Sequence, residues 1–436
     1  MSSTEHETPV VAPRHGKLAR RHPVRSFIKW LSIGLSCVLV ATLATGAITA
    51  LQFSSDIETV DLGSVPPPGL GEYEGGFNVL LVGSDSREGQ GELFGEADYG
   101  SGALNDVTML VHVSSDHKSA TIISLPRDLL VDFPACPETS TSNGAPPGRG
   151  VQFNSALGRG GLECVATVVE DLTGLEVPYA AMITFTGVIN MSTAVGGVDI
   201  CTTGPILDRY SGLDIPSAGT HSLEGVQALA FLRSRHGIGD GSDLSRIAAQ
   251  QAFMSSLARK LQSEAVLTDV ARLFQIAQVA RDNMVMSSSL SDIGTMVSMA
   301  QVFANIPLET MQFVQFPTLP AGPRVIPNEA AAAEMFELIQ NNQPLNLGDN
   351  STGTGSELIE TEAPVDTEET PVDPAAPVDP VDPATPEGST PDDGTVVDPT
   401  ESSDVPDPSV APTPPPINGV SGQDASQESC IVPFGG

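Results

Sequence analysis

The sequence predicts an α/β domain, a mixed sheet covered by helices on both faces, set behind one N-terminal transmembrane helix. Three observations predict it. Residues 30–55 carry no charged side chain. Between 75 and 343, short β-branched runs alternate with amphipathic helical patterns. From 344 the composition turns to Pro, Asp, Glu and Thr, and no Lys or Arg follows Arg324.

Residues 1–29 are polar and basic, with six Lys and Arg against Glu5 and Glu7. The uncharged run after them, WLSIGLSCVLVATLATGAITALQFSS, reaches about 39 Å as a helix, enough to cross a hydrocarbon core with some tilt. Its basic flank and the acids beyond it (Asp56, Glu58, Asp61) put the N-terminus in the cytoplasm. A cleaved signal peptide is the rival reading. The run is long for one, and it shows no convincing small-x-small site. Residues 56–74 then form a linker, and the protein is expected at the cell membrane with its main domain outside. In that compartment Cys136, Cys164, Cys201 and Cys430 can form disulfides, while Cys37 lies in the span. Cys136 and Cys164 bracket the loop ETSTSNGAPPGRG, which would leave Cys201 with Cys430, although four cysteines allow three pairings.

FNVLLVG (77–83) reads as a buried strand opening into a loop. VTMLVHV (107–113) and SATIISL (119–125) read as a hairpin across SSDHK. CVATVVEDLTG is a helix ending at Gly174. VPYAAMITF (177–185) is a strand, followed by a helix over 186–194 and a short strand GGVDIC. VQALAFLRSR is expected to finish extended, so that Arg233 and Arg235 share a face. DLSRIAAQQAFMSSLARKLQ is a long helix capped by Ser242 or Asp243. Helices over DVARLFQIAQVARDN and SDIGTMVSMAQVFANI, a strand at 311–316 and a helix NEAAAAEMFELIQN complete the domain.

The formal net charge is −34, largely through the acidic tail, which argues against nucleic-acid binding. Residues 344–425 are expected to stay extended and solvated, a spacer of Pro-rich chain, because they bury too little apolar surface to order. The last piece, 426–436, holds SCIVPFGG and is apolar enough to dock.

Cations are scarce, yet FLRSRHGIGDGSDLSRIAAQQ (231–251) holds Arg233, Arg235 and Arg246. Guanidinium forks on one face suit a pyrophosphate. On the following helix Asp243, Arg246 and Gln250 fall on one stripe. Loops at strand ends add Asp85 and Arg87 from GSDSREG, Asp106 from ALNDVT, and Arg127 and Asp128 from SLPRDL. Asp85 and Asp106 suit Mg²⁺, which takes one or two carboxylates besides waters and phosphate oxygens. Spacing alone leaves a second reading open, an ion-pair network with no ligand. The histidines show no metal-ligand spacing, and there is no GxSxG elbow or Walker A loop.

Taken in order, NVLLVGSDSREG, NDVTMLV, ATIISLPRDLLVDFP, FNSALGRGG, VEDLTG, TFTGVINMSTAVGGVDI, LEGVQALAFLRSRHG and DLSRIAAQQ resemble the LytR–CpsA–Psr family of cell-wall glycopolymer ligases. The resemblance implies a three-layer α–β–α domain that binds a polyprenyl-linked (pyro)phosphate among arginines and Mg²⁺. It implies transfer of a glycopolymer-1-phosphate to the muramic acid 6-hydroxyl of peptidoglycan. By position, Asp85 and Asp106 look like the metal ligands. Arg127, Arg233 and Arg235 look like the catalytic phosphate ligands, joined by Arg87, Arg246 and Gln250 and supported by Asp128 and Asp243. Two positions depart from the family pattern: Gln152 stands where a Lys is frequent, and Ala249 where a second Arg is. The high Arg-to-Lys ratio suggests an actinobacterial source. Two alternatives stay in view, a polyprenyl-pyrophosphate phosphatase and a non-enzymatic, membrane-anchored wall-binding protein.

Overall fold

The computed structural model describes residues 59–62, 74–86, 103–139, 142–263, 276, 278–280, 282–348, 355–359 and 416–435. Arg87, the span at 30–55, the linker up to 58 and most of the helix expected over 269–283 lie outside the described residues. Among the described residues no helix is long and apolar enough to cross a membrane.

Eight strands form the central sheet: β1 (Thr59–Val60), β2 (Phe77–Ser84), β3 (Asn105–Val113), β4 (Ala120–Ser124), β5 (Tyr179–Ile183), β6 (Met284–Ser287), β7 (Met311–Gln315) and β8 (Gly422–Asp424). Their spatial order is β1-β6-β5-β2-β3-β4-β7-β8. The sheet is mixed. The β2–β3 and β3–β4 pairs are antiparallel, while β5 runs parallel to β2 and β7 parallel to β4. The central strands are near-continuous apolar runs because both faces are covered, so neither row of side chains meets water.

Six helices do the covering: α1 (Ala156–Thr173), α2 (Phe185–Ala194), α3 (Gly225–Arg233), α4 (Asp243–Ser263), α5 (Ile293–Asn305) and α6 (Glu329–Gln340). On one face Leu80, Leu110, Ile123 and Val314 pack with Val165 and Val169 of α1 and Met335 and Phe336 of α6. On the other, Val79, Val111, Ile122 and Phe313 pack with Met299 of α5 and Met254 of α4. Each large side chain buried this way contributes about 1.5–3 kcal/mol. A third cluster, around Ile200, Phe231, Phe253 and Ile431, joins α3 and α4 to a smaller four-stranded sheet.

Two glycines explain why FNSALGRGG precedes the first long helix. Gly160 and Gly161 leave helical geometry inside α1, Gly161 at φ 71°. A Cβ on Gly160 would lie 2.9 Å from the Cβ of Cys164 and 3.1 Å from that of Cys136. The kink therefore makes room for the Cys136–Cys164 disulfide, which ties the Gly/Pro-rich loop to the helix. The second disulfide joins Cys201 to Cys430.

Two expectations need correction. VQALAFLR does not end extended: it is α3 through Arg233, and only Ser234 turns to β geometry. Its apolar positions Ala228, Phe231 and Leu232 recur at helical spacing against the third cluster. The segment 344–425 is not uniformly solvated either. Leu345, Ile417 and Val420 are buried in the main core, and Gly422–Asp424 closes the sheet edge as β8. Residues 349–354 and 360–415 lie outside the described residues. Ser429–Ile431 pairs with Ser356–Leu358 and with Val198–Thr202, so the C-terminal piece docks.

One buried imidazole makes the fold sensitive to acid. His112 donates from Nδ1 to the Asn78 side-chain oxygen at 2.8 Å, and its Nε2 is buried without a partner among the described residues. A second proton would have no acceptor, and burial pulls the ring from 6.5 down to about 4. The unfolded chain therefore binds the proton first, and stability is lost as pH falls from 6.5 toward 4. Denaturant titrations across that range are expected to show wild type losing up to roughly 3 kcal/mol more than His112→Gln.

Candidate active site

The topology gathers the loops named by the sequence. β2 ends where antiparallel β3 begins, and the start of β3 lies beside the end of β4. Asp85, Asp106, Arg127 and Asp128 therefore meet at one end of the sheet. α4 starts at the same end, because Ser242 Oγ caps it by accepting from the Ser245 amide at 3.2 Å. Asp243 is then the first helical residue, with its carboxylate free to turn inward.

A cavity of about 450 Å³ opens there. Asp106, Arg127, Arg233, Arg235, Arg246 and Gln250 all line it. The rest of its wall is mainly apolar, including Met109, Ile183, Val188, Leu229, Phe253 and Leu257. Asp128 and Asp243 join the polar end through ion pairs rather than through its lining.

Arg127 is the hub. Its Nη1 donates to Asp106 Oδ1 at 2.7 Å, and its Nε lies 3.3 Å from Asp243 and 3.8 Å from Asp128. Arg246 reaches Asp243 at 2.5 Å and donates to the Asp106 carbonyl at 3.1 Å. Arg235 lies 4.0 Å from Asp128. Arg233 stacks over the Phe185 ring at 4.5 Å, a contact the sequence did not suggest. Gln250 donates to the Leu232 carbonyl at 3.1 Å and so ties α4 to the end of α3.

Burial pushes the Asp243 carboxyl up, against the pull of Arg246 and Arg127. The same burial draws Arg246 below its ordinary value, against the pull of Asp243, though it stays a cation. The Nε atoms of Arg235 and Arg246 are buried and have no hydrogen-bond acceptor among the described residues, while that of Arg127 faces the Asp243 carboxylate at 3.3 Å. A closed ion-pair network would satisfy all three. Two unsatisfied guanidinium donors beside a cavity instead suit an anion.

Asp85 sits against the start of β3. Its Oδ1 accepts from the Leu104 amide at 2.7 Å. Burial, and then the neighbouring Asp106 charge, push its carboxyl up. Two carboxylates that repel one another favour a cation between them. Among the described residues no group of three or more His, Cys, Asp or Glu gathers to hold a metal. Two carboxylates still fit Mg²⁺, whose remaining ligands are ordinarily waters and phosphate oxygens.

One further link went unread. Gln152 donates to Asp128 at 2.6 Å and accepts from Arg324, which arrives on the Thr318–Pro327 hairpin. The contact joins residues 172 apart in sequence, so no local pattern could reveal it. A cation thus stands next to Gln152.

The LytR_cpsA_psr family model matches residues 45–342, more than half of the chain. The chain belongs to the LytR_cpsA_psr family. It is 30% identical over 339 residues to the probable cell wall biosynthesis protein LcpB of Corynebacterium glutamicum, covering 76% of each chain. It is also 30% identical over 234 residues to the cell wall biosynthesis protein LcpA of the same organism, covering 49% of this chain and 45% of LcpA. It therefore spans under half of the length of LcpA. Against Bacillus subtilis TagT, named a polyisoprenyl-teichoic acid–peptidoglycan teichoic acid transferase, identity is 27%, covering 63% of this chain and 82% of TagT. Among solved structures, B. subtilis TagV shares 19% identity over 62% of this chain and 98% of its own, with a TM-score of 0.49. In this LytR_cpsA_psr chain the cavity brings together Asp106, Arg127, Arg233, Arg235, Arg246 and Gln250.

Proposed function

We propose that this LytR_cpsA_psr protein is a membrane-anchored transferase that moves a glycopolymer-1-phosphate from a polyprenyl-pyrophosphate carrier to a peptidoglycan hydroxyl. The observation that carries the reading is the arginine wall, with unsatisfied buried Nε donors, at one end of an apolar cavity. A diphosphate with a greasy chain matches both ends at once. The name of TagT as a teichoic acid transferase supports the same substrate class.

Phosphoryl transfer asks a protein chiefly for positioning and charge stabilisation. Arg127, Arg235 and Arg246 hold non-bridging oxygens through the guanidinium groups that line the cavity. Arg233, stacked on Phe185, presents its guanidinium edge to the same space. Asp243 orients Arg127 and Arg246. The acceptor oxygen attacks the polymer-side phosphorus and the bond to the bridging oxygen breaks. Polyprenyl phosphate leaves, and the hydroxyl proton passes to a base. Asp128 is more exposed than Asp243 and is the better placed of the two to take it. Asp85 and Asp106 are the pair that would hold Mg²⁺, whose chemistry when bound is neutralisation of phosphate charge.

Mass spectrometry of lipid extracted from the purified chain tests the reading. Polyprenyl phosphate or pyrophosphate is expected in wild type and depleted in Arg235→Ala. Free phosphate released without peptidoglycan would point to hydrolysis instead. Absence of bound or added polyprenyl phosphate would remove the site as proposed.

A further inference from the structure

We propose that Asp208 is a positioning residue, whose buried carboxylate fixes the backbone at Ser234–His236 and thereby aims the Arg235 guanidinium into the cavity. The inference rests on the reading of Arg235 as a ligand of the phosphate head group.

α3 stops at Arg233, and the chain from Ser234 to Ser242 belongs to neither α3 nor α4. Local turn bonds hold its second half, where the Gly241 amide donates to the Ile238 carbonyl at 3.0 Å and the Ser242 amide to Asp240 at 2.9 Å. At Ser234–His236 the bonds converge instead on one distant side chain. Asp208 lies at the end of the first strand of the Ile206–Asp208/Leu213–Ile215 hairpin and is 2% exposed. Its Oδ2 accepts from Ser234 Oγ at 2.8 Å, the Arg235 amide at 3.1 Å and the His236 amide at 3.2 Å. Its Oδ1 accepts from the amides of Tyr210 at 2.9 Å and Ser211 at 3.3 Å. The Tyr210 and His236 rings then pack at 4.7 Å, closing the hairpin turn against the arginine segment.

Every partner is a donor, and a carboxylate only accepts. The group forms no ion pair among the described residues, so backbone dipoles and a hydroxyl hold its charge. Burial pushes the Asp208 carboxyl up, but the donors of Ser234, Tyr210, Arg235 and Ser211 outweigh it and hold it below the usual range. Asp208 therefore stays ionised wherever cell-wall chemistry runs. Hydrogen bonds to an ionised group are about twice as strong as neutral ones. They act here on the residue whose side chain lines the cavity.

The turn sequence hid this role. In ILDRYSGLDI an aspartate before a Ser-Gly pair reads as an ordinary turn residue, which Asp208 also is.

Asp208→Asn keeps the shape but presents an amide N–H₂ to N–H donors. A double-mutant cycle on the full-length chain separates aiming from mere support. Transfer, affinity for inorganic pyrophosphate and the thermal midpoint are measured for wild type, Asp208→Asn, Arg235→Ala and the pair. Asp208→Asn alone is expected to lower transfer and pyrophosphate affinity about tenfold or more, as lost anion donors do. In the Arg235→Ala background it is expected to change neither, because the group it aims is gone. Equal fold-losses in both backgrounds would overturn the inference and leave Asp208 a hairpin support. Should Asp208→Asn not fold, Ser234→Ala removes one of the three contacts to the segment and carries the same cycle. A wild-type chain that neither transfers nor binds pyrophosphate would overturn the proposed function and this inference with it. Activity in wild type with additive losses would overturn the inference alone.

Discussion

Replacing Arg246 with alanine is expected to lower stability by about 3–5 kcal/mol at neutral pH and to remove transfer. Arg246 is 4% exposed and reaches Asp243 at 2.5 Å. Its loss leaves a buried carboxylate facing Asp128, with Arg127 and the more distant Arg235 as the remaining nearby cations. The sign of the pH dependence follows. Burial already pushes the Asp243 carboxyl up, and loss of Arg246 removes its largest counter-pull. A folded-state carboxyl raised above its unfolded value binds protons first in the native state. Stability then falls as pH rises through that window and recovers on acidification. Urea titrations should therefore show the Arg246→Ala deficit largest at neutral pH and smaller near pH ~4–5, where carboxylates begin to protonate. Pairing it with Asp243→Leu should restore most of the stability, since an apolar pair can replace a buried ion pair, while transfer stays absent. A deficit of equal size at both pH values would show that the buried charge is not its cause.

What the sequence makes legible, and what it hides, follows the range of the forces involved. β2 and β3 are readable because both faces are buried, so their apolar runs are continuous. α4 is readable because Ser242 caps it locally. α3 was misread because nine residues, followed by one in β geometry, leave helical and extended spacing hard to separate. β8 is unreadable: GQD has no apolar pattern, and backbone bonds to Gln312–Val314, over a hundred residues earlier, make it a strand. The site divides the same way. Scarcity exposed Arg233, Arg235 and Arg246, and strand-end position exposed Asp85, Asp106, Arg127 and Asp128. The Arg324–Gln152–Asp128 chain and the three bonds of Asp208 to Ser234, Arg235 and His236 join distant segments, so neither leaves a periodic trace.

Arg127→Ala is expected to cost transfer roughly 10²–10³-fold, the scale of losing a preorganised donor to developing charge. Its effect should exceed that of Arg233→Ala, because Arg127 alone touches all three of Asp106, Asp128 and Asp243. Those contacts raise its own proton affinity beyond what burial removes, so it is a fixed cation at any working pH. Without it three acids, Asp106, Asp128 and Asp243, face three remaining guanidinium groups, Arg233, Arg235 and Arg246, and the cluster loses its net positive charge toward a diphosphate. Lysine at 127 restores the charge but can serve only a point contact, and Asp106 at 2.7 Å is the partner it would keep. Nε has no counterpart in lysine, so the arm that Asp243 and Asp128 hold in place is lost. Arg127→Lys should therefore recover affinity for inorganic pyrophosphate more fully than it recovers kcat. Calorimetry alongside single-turnover transfer separates the two. Full recovery of kcat by lysine would mean that Arg127 contributes charge alone, and that its orientation by Asp128 and Asp243 does not matter to the step.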